Sequence, residues 1–590
     1  MIGKSKAQVE LFDVGNVFPY VLKPGTFHAQ LAHAGSGLFR DEDFAKLYSD
    51  RIGRPSVPPS MLALTVLLQQ EAGISDQETV ARTGCDLRWA AVLRRSAGEP
   101  LCAKSTFQLF RAHLVLHEAV RTLFLASIQE AKKAGLLNGK AIRVAIDTKP
   151  IAGRGAVEDT FHLVAAGIRQ IAAALARRDG KKTDQWLDEN QLGRYAEPRV
   201  NSVKGSADID WSDEGARNGL LTEMVRDARR MLALAEGAGG EIARSAELLC
   251  ALLLQDIEVK ESPDGPAAKI TAKIKEGTAR GRIPSASDPE QRHGRKSASK
   301  RFTGHKASVA TDMESQIILA VDVLPGDAGD ATGALALVEQ AEANSELPVE
   351  ETLGDCAYGG APTREAFDGA GRTLHAKVGQ EAQRDMFPKS AFVLDLQNHT
   401  VTCPEGHTTG RFTLTGQART FSFGAVCRSC PLQAYCTRSE KGRTVQVHPQ
   451  EERIQAARNY QQTHEGRAHL RERVVIEHRL ARLGQLGIGQ ARYRGRLMTR
   501  FQLVMAATIA NLRRTWNWQS AKHTAEAGTS PLEAINMLHS AIQRLNVYCK
   551  RISKRLFRTN LGGRTGAHYM LCATIQLFNR VGISRFRLSF

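Results

Sequence analysis

The sequence lacks a long apolar run, and cysteine is scarce for a chain of this length. No stretch approaches the roughly 18 or more consecutive apolar residues of a membrane-spanning helix, and no charged-then-apolar leader opens the chain. Ten cysteines among 590 residues are too few for a disulfide scaffold. We therefore expect a soluble, cytoplasmic protein with no membrane partner.

Acidic residues are missing from two segments near the C-terminal end. No Asp or Glu lies between Glu477 and Glu526 or after Glu533, whereas arginine and lysine accumulate in both segments. The whole chain has 80 Lys and Arg against 62 Asp and Glu, a formal charge of +18. Cationic surfaces of this kind bind polyanions. We expect nucleic acid as the partner, and a solvated basic surface is the alternative for each segment.

The apolar pattern divides the chain into a helical front part, an interrupted α/β middle part and a basic end. The expected boundaries are a helical N-terminal DNA-binding domain at 1–135, a catalytic domain at 136–515, a helical insertion at about 157–285, a cysteine-bearing insertion at about 385–450 and a basic C-terminal region at 516–590. For the N-terminal helices, the alternative is a bundle that only packs against the rest of the protein.

Local signals place the N-terminal helices. Gly73 ends the apolar stretch MLALTVLLQQ, and Ser75 has the capping-box spacing to Glu78 that opens another helix. Ser105 has the same kind of spacing to Gln108 and predicts a third helix start.

With the two insertions removed, the element order is strand, strand, strand, helix, strand, helix, strand, helix. The segment AIRVAIDTKPI alternates apolar and polar residues and carries Asp147 at the C-terminal end of its strand. The short strand VEETLGD ends at Asp355, and a long helix contains Glu477. This order predicts an α/β protein with a ribonuclease-H-like catalytic core.

Asp147, Asp355 and Glu477 are the candidate catalytic residues and metal ligands. Phosphodiester chemistry on DNA uses two divalent cations, which activate the attacking oxygen and stabilise the leaving oxygen. Mg²⁺ or Mn²⁺ takes hard oxygen ligands, so converging carboxylates suit it. Arg473 precedes Glu477 by one helical turn, where it can orient the carboxylate or contact phosphate. The competing acids around the second hairpin are Asp312, Asp322, Asp327 and Asp330.

Longer motifs resemble bacterial insertion-sequence transposases of the Asp-Asp-Glu type that have a helical N-terminal domain and a cysteine-bearing insert. The motifs are GRPSVPPSMLALTVLLQQEAGISDQETV, CDLRWAAVL, STFQLFRAHL, AIDTKPI, SASDPEQRHGRK, FTGHKASVATD, GDCAYGG, VVIEHRLARLG, ARYRGR and QLVMAATIANLRR. The resemblance implies that Asp147, Asp355 and Glu477 form the metal-binding triad. It also implies cleavage at the ends of an element and joining of those ends to target DNA.

The sequence departs from this family at two positions near the last acid. Leu470 and Gly484 stand where the family often has Tyr and Lys, whereas Arg473 and Glu477 match. Arg482, just beyond one helical turn from Glu477, is the candidate substitute for the lysine. The residues that we expect to contact DNA are Arg473, Arg482, Arg492, Arg494, Arg496 and Lys306.

Four thiols and one imidazole are concentrated between residues 403 and 436. Cys427 and Cys430 have the two-residue spacing of a zinc knuckle, and Cys403 with Cys436 completes four ligands. His407 is an alternative or outer ligand. The segment therefore predicts a zinc-ribbon-like insertion with a structural Zn²⁺, and free thiols are the alternative.

The expected function is that of a DNA transposase, acting on terminal inverted repeats and target DNA as a homodimer associated with the nucleoid. A transposase-derived DNA-binding protein without strand transfer is one alternative. A ribonuclease-H-like nuclease or Holliday-junction resolvase is the other, since it would share the triad but need no joining step.

Overall fold

The computed structural model describes residues 1–5, 13–49, 53–196, 203–262, 269–297, 299–379 and 385–526. The chain separates into two compact units, Met1–Trp516 and Asn517–Phe590. In the second unit, residues 517–526 are described, so the basic C-terminal region expected at 516–590 lies mostly outside the described residues. Each described helix is too short or too polar to cross a membrane.

Helices form the front part of the chain, as predicted. They are α1 Val14–Val17, α2 Phe27–Leu38, α3 Pro59–Ala72, α4 Asp76–Cys85, α5 Leu87–Val92, α6 Lys104–Leu116 and α7 Val120–Lys133, with a 3-10 helix at Asp41–Leu47. Gly73 ends α3 in the left-handed conformation, and the Ser75 hydroxyl accepts a hydrogen bond from the Glu78 N–H at 3.2 Å. The predicted Ser105 cap is wrong, because α6 already begins at Lys104.

Strand β1, Ile142–Ala152, is followed by a large insertion. Its elements are α8 Thr160–Arg178, α9 Thr183–Glu189, α10 Val203–Ser206, α11 Glu214–Leu234, α12 Gly240–Asp256, β2 Ile257–Ser262 and β3 Lys269–Ile274, with a 3-10 turn at Gly193–Tyr195. The insertion was expected to be helical, but β2 and β3 pair as an antiparallel hairpin. Ile168, Leu221 and Leu249 belong to a separate hydrophobic core in this insertion.

The main sheet of the described residues has six strands. Its remaining elements are β4 Arg292–Arg295, β5 Arg301–Asp312, β6 Ile318–Pro325, α13 Ala334–Ser345, β7 Val349–Gly354, α14 Ala361–Gly369 and β8 Leu374–Ala376. Strands β1, β5 and β6 pair antiparallel, whereas β7 is parallel to β1 and β8 is parallel to β7. The mixed α/β class is confirmed, and the elements follow the predicted order along the chain.

The cysteine-bearing insertion contains short strands and little helix. Its elements are β9 Val393–Asp395, β10 Thr400–Thr402, β11 Thr408–Thr409, β12 Phe412–Thr415, β13 Ala418–Ser422, α15 Gln433–Cys436 and β14 Thr444–Val447, with 3-10 turns at Lys389–Ala391 and Gly424–Ser429. Phe392, Phe421 and Val445 form part of a small core of its own.

The last described elements are α16 Glu451–Gln462, α17 His464–Glu472, α18 Val474–Gln485 and α19 Arg496–Glu526. Within the first unit, one hydrophobic core includes Leu67 of α3, Ile146 of β1 and Leu503 of α19. The N-terminal helices and the sheet therefore share a core, although they were predicted as separate domains.

Candidate active site

Asp147 and Asp355 lie on neighbouring strands. Strands β1 and β7 run parallel with Ala145 opposite Leu353, so two residues further along each chain Asp147 comes beside Asp355. Asp147 was expected at the end of its strand, but β1 continues to Ala152 because β5 pairs with it along that length. Asp355 directly follows the last residue of β7. Two carboxylates therefore meet where β7 leaves the sheet.

Arg473 connects Asp147 to Glu477. It occupies the junction between α17 and α18, and one guanidinium nitrogen lies 3.6 Å from an Asp147 oxygen. The other terminal nitrogen lies 3.2 Å from Glu477 Oε1. The two carboxylates, from the sheet and from the covering helix, thus share one positive charge.

The segment after α18 holds this helix against β1 at the far end. The Ala152 N–H donates to the Gly489 carbonyl at 3.0 Å, and the Ala491 N–H donates to the Ala152 carbonyl at 2.7 Å. Together with the Arg473 contact to Asp147, these hydrogen bonds place α18 along the C-terminal part of β1, which does not pair with β7.

Burial makes ionisation of Asp147 unfavourable. Its pKa is raised from 3.8 to about 6, chiefly by burial and also by the carboxylates of Asp355 and Asp330. The Thr148 N–H and Arg473 oppose this shift. A divalent cation at this position would favour the charged form.

Tyr358 faces the same group of acids and was not among the predicted site residues. Its side chain is fully buried, and its hydroxyl has no hydrogen-bond partner among the described residues. Burial, followed by the charges of Asp147, Asp330 and Asp355, raises the pKa of the phenol. Gly354 allows this packing, because a Cβ there would lie 2.9 Å from the Tyr358 side chain. Its position three residues after Asp355 in GDCAYGG was the available signal.

Lys149 is a second residue near the acids that was not among the predicted site residues. It is two residues after Asp147 and so projects from the same face of β1. Its Nζ would lie 3.2 Å from a Cβ at Gly484, so the absence of a side chain on α18 makes room for the ammonium group. Lys149 is half-buried, and within the described residues it has no ion pair. The family often has a lysine at position 484 on this helix. Here Lys149 places its ammonium group beside position 484 from strand β1 instead.

Two of the four competing acids, Asp312 and Asp322, have other partners. Asp312 accepts hydrogen bonds from the Ser315 N–H and hydroxyl at 2.7 and 2.5 Å and so closes a turn. Asp322 lies 3.5 Å from Arg500. Asp327 borders a cleft with Arg292 and Phe302.

Asp330, by contrast, interacts electrostatically with Asp147 and is held by Lys306 at 2.7 Å. Lys306 was expected to contact DNA, but its side chain is only 8% exposed. It instead positions an acid near the triad.

The other predicted DNA contacts fall into two groups. Arg482 donates to Gln485 at 2.7 Å, and Arg492 donates to the Ile74 carbonyl near the N-terminal helices. Arg494 and Arg496 are exposed. The structure therefore leaves the second pair open to solvent at the start of α19.

The four predicted zinc ligands, Cys403, Cys427, Cys430 and Cys436, line one cavity together with His407. Cys427 Sγ accepts a hydrogen bond from the Arg443 N–H at 3.3 Å. Cys436 is buried, which raises the pKa of its thiol. The insertion thus brings the four thiols to one cavity, and they form no disulfide bonds.

A mixed sheet with carboxylates on neighbouring strands, and with lysine and arginine beside them, is an arrangement that can hold divalent cations. Two family models match parts of the chain. Residues 402–516, which include Glu477, match the family described as Transposase DDE domain, and residues 27–113 match Transposase domain (DUF772). No curated protein and no solved structure matches the chain. The two family matches confirm the predicted resemblance to insertion-sequence transposases of the Asp-Asp-Glu type.

Proposed function

We propose that the protein cleaves DNA at the ends of an insertion element and joins those ends to target DNA. The observation that carries this proposal is the convergence of Asp147 and Glu477 on Arg473, with Asp355 beside Asp147 on the next strand. A ribonuclease-H-like core is supported by three antiparallel strands followed by two strands parallel to β1.

The donor set fits Mg²⁺ or Mn²⁺, with Asp147, Asp355 and Glu477 as the residues that would hold it. All three supply hard oxygen ligands. The raised pKa of Asp147 shows that Arg473 and the Thr148 N–H do not offset its burial and the charges of Asp355 and Asp330, and a bound cation would supply the missing positive charge. When bound, the cations supply charge to the attacking and leaving oxygens of the phosphodiester.

The surrounding cations position the DNA in this proposal. Lys149 reaches toward the triad from β1 and binds the phosphate near the scissile bond, as a compact point charge. Arg473 orients Asp147 and Glu477. Arg494 and Arg496 contact the DNA backbone away from the reacting bond, together with Arg482.

The partner is double-stranded DNA, first as terminal inverted repeats and then as target. Two element ends must be held together for joining, so a homodimer is the expected form in the DNA complex. The cysteine insertion holds a structural Zn²⁺ through Cys403, Cys427, Cys430 and Cys436, which stabilises a segment that has only a small core. The complex acts in the cytoplasm at the nucleoid.

Incubation with a duplex that carries the element's inverted repeats tests the proposal. With Mg²⁺, the unaltered protein should produce 3′ nicks and joined products. The variants D147N, D355N and E477Q should lose both products while still binding the duplex. D322N is the matched control, because Asp322 is a half-exposed acid on β6 that pairs with Arg500.

Each other result has a definite meaning. Cleavage that survives D147N or D355N would overturn the assignment of the triad. Nicks without joined products would favour the nuclease, and binding without nicks would favour a transposase-derived DNA-binding protein.

A further inference from the structure

Glu351, His375 and His469 form a second cluster of candidate metal ligands. They come from β7, β8 and α17, and one ligand atom from each lies within 4.8 Å of the others. His469 Nε2 is 3.1 Å from Glu351 Oε1, and His375 Nε2 is 3.4 Å from Glu351 Oε2. The two imidazole rings have centroids 4.8 Å apart in an edge-to-face arrangement.

These separations suit a four-coordinate metal ion. Ligand atoms bonded to Zn²⁺ at about 2.0–2.1 Å in a tetrahedron are about 3.3 Å apart. Two imidazoles with one carboxylate are a borderline donor set, which favours Zn²⁺ and its first-row neighbours over Mg²⁺. The group therefore differs chemically from the oxygen-only triad.

Neighbouring residues orient the three side chains. The Tyr460 hydroxyl is 2.8 Å from His469 Nδ1, which leaves Nε2 to face Glu351. Arg143 donates to Glu351 Oε1 and lies 2.8 Å from Glu472. Outer hydrogen bonds of this kind to ligand histidines and carboxylates are typical of metal sites.

The cluster is open on one side. His375 and Tyr460 line a surface cleft with Arg364 and Arg453, so an ion can enter and water can complete its coordination. Glu351 precedes Asp355 by four residues along the chain, or about 13 Å of extended backbone. His469 precedes Arg473 by one helical turn. A metal ion bound here would thus connect β7 and β8 to α17. Two of its ligands would lie four residues before Asp355 and Arg473 along the chain.

We infer that Glu351, His375 and His469 bind a divalent first-row transition metal, with Zn²⁺ as the physiological candidate. This inference does not rest on the proposed transposition chemistry. The site joins α17 to the sheet and stabilises the position of Arg473. The alternative is an ion-pair network in which Arg143 and the histidines only neutralise Glu351.

Cobalt binding to the full-length protein distinguishes a metal site from an ion-pair network. Co²⁺ substitutes for zinc and gives thiolate-to-metal charge transfer only where cysteine is a ligand. With excess Mg²⁺ present, equilibrium dialysis should show one more Co²⁺ per chain in the unaltered protein than in the double variant H375Q/H469Q. The additional ion should add ligand-field absorption but no thiolate charge transfer.

His464 provides the matched control, because it is an exposed histidine at the start of the same helix α17. H464Q should bind as much Co²⁺ as the unaltered protein. Equal binding by H375Q/H469Q and the unaltered protein would overturn the inference. If the double variant does not fold, X-ray absorption of the cobalt-loaded unaltered protein decides. Imidazole scattering from the non-thiolate ion supports the site, and a shell of water oxygens alone refutes it.

Discussion

At the scale of single residues, Asp147 combines burial with an excess of negative charge. Its side chain is 19% exposed, and Arg473 is the nearest positive group at 3.6 Å. Asp355 and Asp330 add repulsion that the single guanidinium does not remove, so its pKa remains raised.

The raised pKa of Asp147 predicts a pH-dependent difference between the protein and D147N. Between pH 3.8 and about 6 the Asp147 carboxyl is protonated to a larger extent in the folded protein than in the unfolded chain. The free energy of unfolding therefore falls as pH rises through about 6, by at most about 3 kcal/mol from this group. D147N removes that loss and should raise the Tm at pH 7 without Mg²⁺.

Thermal unfolding at several pH values, with a chelator or with Mg²⁺, measures this effect. Mg²⁺ should raise the Tm of the unaltered protein at pH 7 by mass action, and it should not raise that of D147N. The same pH profile and the same Mg²⁺ response in both proteins would contradict the proposed role of Asp147.

The role of Lys149 can be tested by removing its ammonium group from β1 and introducing a lysine at position 484 on α18. K149A should slow cleavage by about 10–100-fold, because a charge-assisted hydrogen bond to phosphate contributes roughly 1.5–3 kcal/mol. The double variant K149A/G484K should recover part of the lost rate, since a lysine on α18 then occupies the space beside position 149. Single-turnover cleavage rates measure both effects, and K273A on β3 is the control. An unchanged rate in K149A would exclude the phosphate contact.

At the scale of elements, α4 and α6 are joined by one buried ion pair. Asp76 in the first turn of α4 accepts hydrogen bonds from both terminal nitrogens of Arg111 on α6, at 2.6 and 2.7 Å. Gln69 and Gln108 donate to the same carboxylate at 2.8 and 2.9 Å. Arg111 and these hydrogen bonds lower the pKa of Asp76. The pair fixes the angle between two N-terminal helices.

D76N should lower the free energy of unfolding by about 3–5 kcal/mol, because Arg111 would remain buried without its counter-ion. Since the pKa of Asp76 is lowered, its contribution is complete above about pH 4 and is lost as pH falls further. Denaturant unfolding at pH 7 measures the loss. E78Q is the control, since Glu78 pairs with Arg82 at the surface and should cost below about 1 kcal/mol. Equal losses in the two variants would contradict this account.

At the scale of the whole molecule, one hydrophobic core of the first unit includes residues of the N-terminal helices, of the sheet and of α19. Gln70 of α3 donates to the Leu486 carbonyl at 2.9 Å, directly after α18. Asn511 of α19 bonds to both backbone groups of Ile318 in β6 at 2.8 Å. The N-terminal helices, the sheet and α18 are therefore joined by a shared core and by these hydrogen bonds, whereas the two insertions bury cores of their own.

Patterns that repeat over a few residues determined much of what the sequence alone predicted. The alternation in β1, the helix signals at Gly73 and Ser75, and the one-turn spacing of Arg473 and Glu477 depend on local backbone geometry. Local periodicity is readable without knowledge of the fold. The α/β class and the element order followed from such patterns, whereas the transposase resemblance came from the longer sequence motifs.

Tertiary structure decided the features that depend on contacts between distant segments. The pairing of β5 along β1 placed Asp147 inside its strand, and packing buried Lys306 against Asp330. Lys149 meets Gly484, which is more than 300 positions away along the chain. Glu351, His375 and His469 likewise meet only because β7, β8 and α17 pack together. Burial and register are properties of these long-range contacts, so short-range patterns do not encode them.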